Sequence, residues 1–340
     1  MKAAYIAGIR QKFPPKLIRG HLNKLKPLKA LVIGDAIVDE YVFTMPKGRA
    51  NKDPILSLDF ISSEKYAGGI LAIANHAAQF VDNLDLITVL GDQRRDEEFI
   101  TKSLGRNINA RFFTKKKSPT IRKTRYVDHV RKGKLFKVEY INDEPIDADT
   151  EKQIISYMKD RLPTYDLVIL GDFGHGFITP GIAQAIEMHA KHICANIQTN
   201  SANMGFNYVT KYSRIDYLTT NDGELRLALA DRHGSINDLI SRLRERVAIP
   251  RILLTLGVRG CIYYDESSCS EGPCLTNRIV DVVGAGDAVF AITSLLNYVR
   301  LDKDLLVFLA NCIGAIAVNI IGNERPVTSE ELIKFAEEAE

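Results

Sequence analysis

The sequence lacks a long apolar run, a strong excess of one charge and a regular cysteine pattern. A membrane-spanning helix needs roughly 20 apolar residues in succession, and without such a run we expect a soluble protein that does not enter a membrane. The 45 basic and 42 acidic residues leave a formal net charge of +3, which does not predict a nucleic-acid partner. Five cysteines without a CxxC motif, and no signal peptide, favour the cytoplasm.

The composition fits one large α/β domain preceded by a short extension. With 340 residues, 46% of them hydrophobic, the chain can bury one large core and a small accessory element. Residues 1–28 are rich in lysine and arginine and contain three prolines, which is typical of a basic extension or linker. We therefore assign residues 29–340 to a single domain.

Six short apolar runs predict the strands of the main sheet. Each is nearly continuous, as in strands that are buried on both faces of a parallel sheet, and helix-period segments lie between them. This alternation predicts a doubly wound, mainly parallel sheet whose ligands bind at the carboxyl ends of the strands. The runs begin at Ala30 and continue at residues 84–92, 166–174, 192–197, 215–221 and 251–257.

Two segments, residues 41–66 and 119–140, interrupt the alternation of strands and helices. The second alternates polar and apolar residues around Lys132-Gly133, which is typical of a hairpin. We expect the two segments to form one small antiparallel β-sheet that projects from the domain as a lid. Because exposed strand edges tend to pair with a second copy, the alternation at residues 135–140 favours a homodimer through the lid.

The segment DVVGAGDAVF at residues 281–290 carries the strongest chemical signal. Gly284, Ala285 and Gly286 are small residues at a predicted helix start, where free backbone N–H groups and the helix dipole favour a phosphate. Asp287 falls in the first turn, where a carboxylate can take the proton of an attacking hydroxyl group. The alternative is a tight turn followed by an ordinary first-turn acid.

Two further motifs follow predicted strands. Asn221 and Glu224 lie three residues apart at a helix start and so share one face, and their oxygen atoms suit Mg²⁺, usually through its waters. The alternative is a simple helix cap. Thr255, Gly257 and Gly260 form a turn that fits along nucleotide phosphates, with Arg259 as an available cation, although a plain hairpin turn explains the same residues.

These motifs, in this order, resemble the pfkB family of carbohydrate kinases, which includes ribokinase. The resemblance runs from about residue 28 to residue 335, and its most specific part is the match to the family's signature at residues 281–290. It implies a ribokinase-like fold, ATP as phosphate donor and Mg²⁺ as cofactor. The family usually has threonine at the position of Val282, so phosphate binding is expected to differ somewhat.

The resemblance also implies which residues bind the acceptor. The first strand, with Asp35 and Asp39, is similar to the family's sugar-binding start, where an aspartate holds sugar hydroxyl groups; a turn acid is the alternative for each. The segment at residues 66–78 resembles the double-glycine signature with Gly68 and Gly69, although Asn75 does not fall in the usual register of the family's asparagine.

Within the family, the chain looks most like the heptose-phosphate kinase module of ADP-heptose synthesis, which implies a sugar-phosphate acceptor and an accompanying nucleotidyltransferase module. Four basic residues of the expected lid are candidates for binding the phosphate: Arg49, Lys52, Lys123 and Arg125. Two departures put the sugar in doubt, because this chain has His175 and the segment at residues 195–203 where that subfamily tends to carry lysines. There Asp172, Gln198 and Asn200 are alternative hydroxyl-binding groups.

The sequence thus predicts an ATP-dependent kinase of a sugar or sugar phosphate, with Asp287 as the general base. A second hypothesis is a binding module that has lost catalysis and serves a larger enzyme of nucleotide-sugar synthesis. Retention of Asp287, both glycines and the Asn221–Glu224 pair argues against it. A dinucleotide-binding oxidoreductase is weaker still, since the first strand does not end in GxGxxG.

Overall fold

The computed structural model describes residues 2–338. Its strands are β1 (Ala30–Gly34), β2 (Ala36–Arg49), β3 (Leu56–Gly69), β4 (Leu84–Gln93), β5 (Ile108–Pro119), β6 (Ile121–Asp128), β7 (Lys134–Tyr140), β8 (Leu167–Asp172), β9 (Ile193–Ile197), β10 (Tyr217–Asn221), β11 (Ile252–Thr255), β12 (Cys261–Tyr264) and β13 (Cys269–Gly272).

The helices are α1 (Lys2–Lys12), α2 (Pro15–Asn23), α3 (Ile70–Ala78), α4 (Glu97–Ser103), α5 (Ala148–Lys159), α6 (Pro180–His189), α7 (Asp222–Leu229), α8 (Ile236–Arg246), α9 (Ala285–Tyr298), α10 (Lys303–Ala317) and α11 (Ser329–Glu338). Short 3₁₀ turns occupy Leu162–Thr164, Val209–Lys211 and Gly257–Arg259. Within residues 2–338, no helix is long and apolar enough to cross a membrane.

Nine strands form the main sheet in the order β13-β12-β11-β10-β9-β8-β1-β4-β5. The seven strands from β11 to β5 run parallel, whereas β12 and β13 add an antiparallel edge. All six predicted strands lie in this sheet, so the doubly wound, mainly parallel α/β fold is confirmed. Its physical basis is visible in β1, where Val32 packs into the core on one face and Leu31 and Ile33 pack into the core on the other.

The two interrupting segments form a second sheet in the order β3-β2-β6-β7. The hairpins β2–β3 and β6–β7 are antiparallel as expected, but β2 and β6 pair in parallel in the centre, so the lid is a mixed sheet rather than an antiparallel one. The reason lies in the chain path. Strands β1 and β5 run in one direction in the main sheet, and β2 and β6 continue almost directly from them.

The N-terminal segment is part of the folded unit, so of the two alternatives for residues 1–28 the structure favours an extension that packs on the domain rather than a linker. Helices α1 and α2 bury Ile6, Ile9, Ile18 and Leu22 in the same core as α3, α9 and α10. Pro15 does not disrupt structure here, because it stands at the first position of α2, where its missing N–H is not needed. Residues 1 and 339–340 lie outside the described part.

The packing of α2 predicts that its buried side chains stabilise the whole domain. Leu22→Ala should lower the free energy of unfolding by about 2–5 kcal/mol, because it removes a side chain that is only 3% exposed. Leu17→Ala on the same helix is the matched control, since Leu17 is 41% exposed. Urea unfolding followed by circular dichroism gives both values, and equal, small effects would contradict the packing of α2 against the core.

Candidate active site

A cavity of about 370 Å³ lies where the carboxyl ends of β9, β10 and β11 meet the lid and the start of α9. This is the edge at which a doubly wound sheet binds its ligands. Both sheets, α7 and the loop before α9 contribute to its wall. The lining residues are Ile37, Asp39, Gly69, Lys123, Arg125, Phe173, Asn196, Gln198, Thr199, Thr219, Thr220, Asn221, Glu224, Thr255, Val282, Val283, Gly284, Gly286 and Asp287.

The predicted glycine motif forms the N-terminus of α9 and one wall of this cavity. Gly284 caps the helix with a φ of 83°, and a Cβ atom there would lie 1.8 Å from Oδ1 of Asn323. Both facts require glycine at this position. At Gly286 a Cβ atom would meet nothing within 4 Å, so the backbone is open to a ligand. The first turn of α9 therefore presents free N–H groups to the cavity, as an anion site requires.

Asp287 lies at the base of the cavity and is 8% exposed. Burial raises the pKa of Asp287 to about 7, because removal from water disfavours the charged form. Gln198 opposes this by donating a hydrogen bond from Nε2 to Oδ1 of Asp287 at 2.8 Å. A carboxyl group with a pKa near neutral, at a helix N-terminus, has the properties of a general base.

Asn221 and Glu224 form a capping box at the start of α7 and also line the cavity. The backbone N–H of Glu224 donates to Oδ1 of Asn221 at 2.9 Å, and the backbone N–H of Asn221 donates to Oε2 of Glu224 at 3.1 Å. The helix-cap alternative is therefore correct, and it does not exclude a role in binding. Burial raises the pKa of Glu224 to about 7.

A second cavity, of about 260 Å³, adjoins the first and shares Thr255, Val282 and Gly286 with it. It lies between the turn at residues 255–260 and the helices α9 and α10, and most of its lining is apolar. Gly257 and Gly260 lie in its wall. Gly260 has a φ of 93°, and a Cβ atom there would lie 2.0 Å from the carbonyl oxygen of Gly272, so the close approach of β13 requires glycine.

On the lid side, Asp39 faces the cavity and accepts a hydrogen bond from Arg125. A Cβ atom at Gly68 would lie 2.1 Å from Oδ2 of Asp39, so this glycine leaves room for the carboxylate rather than contacting a ligand. Gly69 lines the cavity itself and has a φ of 55°. Lys123 also reaches the cavity, and its burial lowers the pKa of its ammonium group.

Besides Gly68, four residues that were predicted to bind the acceptor lie outside the cavity. Asn75 donates to the carbonyl oxygen of Ser103 at 2.9 Å and accepts from the N–H of Gly105 at 3.0 Å, so it ties α3 to the loop after α4. Asp35 is 1% exposed and accepts from the N–H of His175 at 3.4 Å. Arg49 ends β2 and Lys52 follows it in the lid hairpin, away from the cavity.

The alternative hydroxyl-binding groups also have structural partners. Asp172 accepts a hydrogen bond from the hydroxyl group of Tyr212 at 2.5 Å and forms an ion pair with Lys211 at 2.5 Å. His175 pairs through Nδ1 with Asp143 at 2.7 Å. Asn200 donates to the carbonyl oxygen of Phe173 at 2.9 Å. Of this group only Gln198 lines the cavity.

Sequence reasoning did not single out Asn196, Thr219 and Thr220, which lie at the carboxyl ends of β9 and β10 and line the cavity. Their position was the available signal, because polar side chains at the ends of buried parallel strands point toward the ligand edge. Ile37 and Phe173 are apolar wall residues for which the sequence held no such signal.

Comparison with known proteins agrees with this architecture. Residues 29–328 match the family model described as pfkB family carbohydrate kinase. The bifunctional protein HldE of Helicobacter pylori strain G27 is 29% identical over 305 residues, which cover 87% of this chain and 64% of that protein. The chain therefore spans less than two thirds of the length of this relative.

Solved structures share the fold at low sequence identity. Phosphofructokinase-2 from Escherichia coli, in complex with potassium, matches with a TM-score of 0.73 at 14% identity, over 91% of this chain and 98% of that one. Arabidopsis thaliana ribokinase, complexed with ribose and ATP, matches with a TM-score of 0.66 at 14% identity, over 92% and 99%. These structures show that the fold is ribokinase-like. Because the family model covers most of the length of this chain, the chain belongs to the pfkB family of carbohydrate kinases.

Proposed function

We propose that the protein transfers the terminal phosphoryl group of ATP to a hydroxyl group of a sugar or sugar phosphate, with Asp287 as the general base. One observation carries the proposal. Asp287, with a pKa raised to about 7, lines the polar cavity at the open N-terminus of α9, directly after Gly286, which lines both this cavity and the adjoining apolar one. A hydroxyl group and a phosphate can thus meet at the residue that takes the proton.

The two cavities suit the two substrates, the nucleotide and the acceptor. The apolar pocket between α9 and α10 is suited to a planar nucleobase, and the shared residues Thr255 and Gly286 lie between it and the polar cavity. Backbone N–H groups from Gly284 to Gly286 stabilise negative charge on the transferred group. In the polar cavity, the carboxylate of Asp39 accepts hydrogen bonds from acceptor hydroxyl groups.

The residues present fit Mg²⁺ bound largely through water and phosphate oxygens. Within residues 2–338 there is no group of three or more His, Cys, Asp or Glu side chains placed to hold a metal. Glu224 and Asn221 supply oxygen atoms at the cavity wall, which is the donor type that Mg²⁺ prefers. When bound, the ion would neutralise charge on the phosphates, and Glu224 would orient its waters.

A heptose-phosphate-like acceptor is the substrate class that we favour. The subfamily resemblance and the match to HldE support it. The basic groups of the cavity are Lys123 and Arg125. Each has an acidic neighbour: Glu139 lies 3.9 Å from Lys123, and Asp39 is hydrogen-bonded to Arg125. Because the chain covers 64% of that relative, we also propose that a nucleotidyltransferase module acts with this kinase.

The proposed base gives the first prediction of activity. Asp287→Asn should reduce kcat at least about 1,000-fold while nucleotide binding stays near normal, because the amide cannot accept the hydroxyl proton. The measurement is ADP release from ATP and Mg²⁺ with a panel of hexoses, heptoses and their phosphates. Asp160→Asn, a change of the same chemistry at the exposed end of α5, is the control and should keep full activity.

Two results would contradict the proposal. Near-normal turnover by the Asp287→Asn variant would remove Asp287 as the base. ATP binding by the unmodified protein, without turnover on any sugar of the panel, would favour the catalytically inactive binding module instead.

The buried carboxyl group also predicts how stability depends on pH. The pKa of Asp287 is raised on folding, so its neutral form stabilises the native state at low pH, and this contribution is lost as the pH rises to about 7. Asp287→Asn keeps a neutral group at every pH. We expect the variant to have a Tm roughly 2 °C or more above the unmodified protein at pH 8, and a smaller difference at pH 5. Differential scanning calorimetry measures the Tm of both proteins at each pH. A lower Tm of the variant at pH 8 would contradict the raised pKa of Asp287.

The lid gives a further prediction about assembly. Its outer strands β3 and β7 expose apolar side chains, among them Phe60 at 67% and Val138 at 37%. We propose that these edges pair in a homodimer. Light scattering should give twice the monomer mass of 38.0 kDa, and the double variant Phe60→Lys, Val138→Lys should be a monomer. Val130→Lys in the exposed β6–β7 turn is the control, and a monomeric unmodified protein would refute the proposal.

A further inference from the structure

Within residues 2–338, Gln198 is the one residue whose side chain donates a hydrogen bond to the carboxylate of Asp287. Its Nε2 group donates to Oδ1 of Asp287 at 2.8 Å and to Oδ1 of Asn196 at 2.9 Å. Both hydrogen atoms of the amide are therefore in use. Oδ2 of Asp287 receives no hydrogen bond from residues 2–338 and remains available to a ligand in the cavity.

The neighbouring amide determines which way Gln198 points. Asn196 donates from Nδ2 to the carbonyl oxygen of Thr219 at 2.8 Å, so its Oδ1 atom is left as an acceptor toward Gln198. If the Gln198 amide were reversed, its oxygen would face two acceptor oxygens without a proton between them. The network thus fixes Gln198 as a donor to Asp287.

The backbone around Gln198 is also held in place. Its N–H donates to the carbonyl oxygen of Asp172 at 2.9 Å, and its carbonyl oxygen accepts from Nδ2 of Asn207 at 3.1 Å. Asn207 is 3% exposed and also bonds to the carbonyl oxygen of Asp172 at 3.1 Å. Gln198 therefore approaches Asp287 from a rigid part of the loop after β9.

We infer that Gln198 is a positioning residue of the phosphoryl transfer, which holds Asp287 through Oδ1 and leaves Oδ2 to take the proton of the acceptor hydroxyl group. The inference rests on the proposed role of Asp287 as the base. It explains why a polar amide, rather than a cation, stands at this position. A donor without charge orients the carboxylate and favours its ionised form, yet does not form an ion pair that would lower its basicity strongly.

Three charged groups face Asp287 from other elements and act on it at longer range. Asp39 on β2 and Glu224 on α7 raise its pKa, and Lys123 on β6 lowers it. None of them is hydrogen-bonded to the carboxylate. Loss of the Gln198 donor should therefore change the pKa of Asp287 even when these groups stay in place.

The test is a direct titration of Asp287 in the intact protein, which needs no substrate. With aspartate labelled with ¹³C at the carboxyl carbon, the signal of Asp287 is assigned by its absence in Asp287→Asn, and its pKa is read by NMR. Gln198→Leu should raise the pKa by about one pH unit, because the donor is lost. Gln198→Glu should raise it further, and Gln198→Lys should lower it.

The controls for charge are Gln153→Glu and Gln153→Lys on the exposed face of α5, which should leave the pKa of Asp287 unchanged. Gln198→Glu has nearly the size of glutamine, so at least one variant keeps the packing if Gln198→Leu does not fold. Unchanged pKa values of Asp287 in every folded Gln198 variant would overturn the inference.

The pH dependence of turnover separates this inference from the proposed function. If Gln198 positions Asp287 and Asp287 is the base, the acidic limb of the pH profile of kcat moves with the titrated pKa of Asp287 in each variant. If Gln198 only supports the fold, its variants lower kcat equally at all pH values, and that result would overturn the positioning role. If the pKa moves but Asp287→Asn retains turnover, Gln198 still controls the ionisation of Asp287 and the role of Asp287 as base is wrong.

Discussion

The burial of one carboxyl group at the N-terminus of α9 is the constraint on which the site depends. Asp287 belongs to a helix whose side chains are buried from Asp287 to Asn297, so its charge is held away from water. The helix dipole, the amide of Gln198 and the ammonium group of Lys123 offset that cost only in part, and the pKa remains near 7. The same burial that suits Asp287 to the proposed role of base therefore also destabilises the folded state when the carboxyl group is ionised.

The strands and the glycine turn at the start of α9 could be predicted because their signals are local. The continuous apolar run of β1 is required by burial on both faces, and the glycine at position 284 is required by a positive φ and by the proximity of Asn323. The residues expected to bind the acceptor could not be assigned in the same way. Arg49 and Lys52 depend on how far the β2–β3 hairpin extends, and Asn75 depends on the packing of α3 against the loop after α4, which no short sequence pattern encodes.

The Asn221–Glu224 pair shows why a local explanation and a functional one need not compete. The capping box satisfies the free N–H groups at the start of α7, and it does so with side chains that stand at the carboxyl end of β10. A cap at this edge of the parallel sheet lines the cavity as well. The reciprocal hydrogen bonds hold the Glu224 carboxylate in one orientation, so that the proposed binding of Mg²⁺ would lose less entropy.

Asp281 connects the loop before α9, which lines the cavity, to the lid. Its carboxylate accepts hydrogen bonds from Lys134 of β7 at 2.5 Å, from the hydroxyl group of Tyr41 of β2 at 2.7 Å and from the N–H of Val283 at 3.0 Å. Burial disfavours its charge, but these donors hold the pKa of Asp281 below the ordinary value. Two lid strands thus contact the segment that leads into the N-terminus of α9. In the proposed reaction water would compete with the acceptor hydroxyl group for the phosphoryl group, and a lid anchored at this point would both cover the cavity and order the wall that we propose binds phosphate.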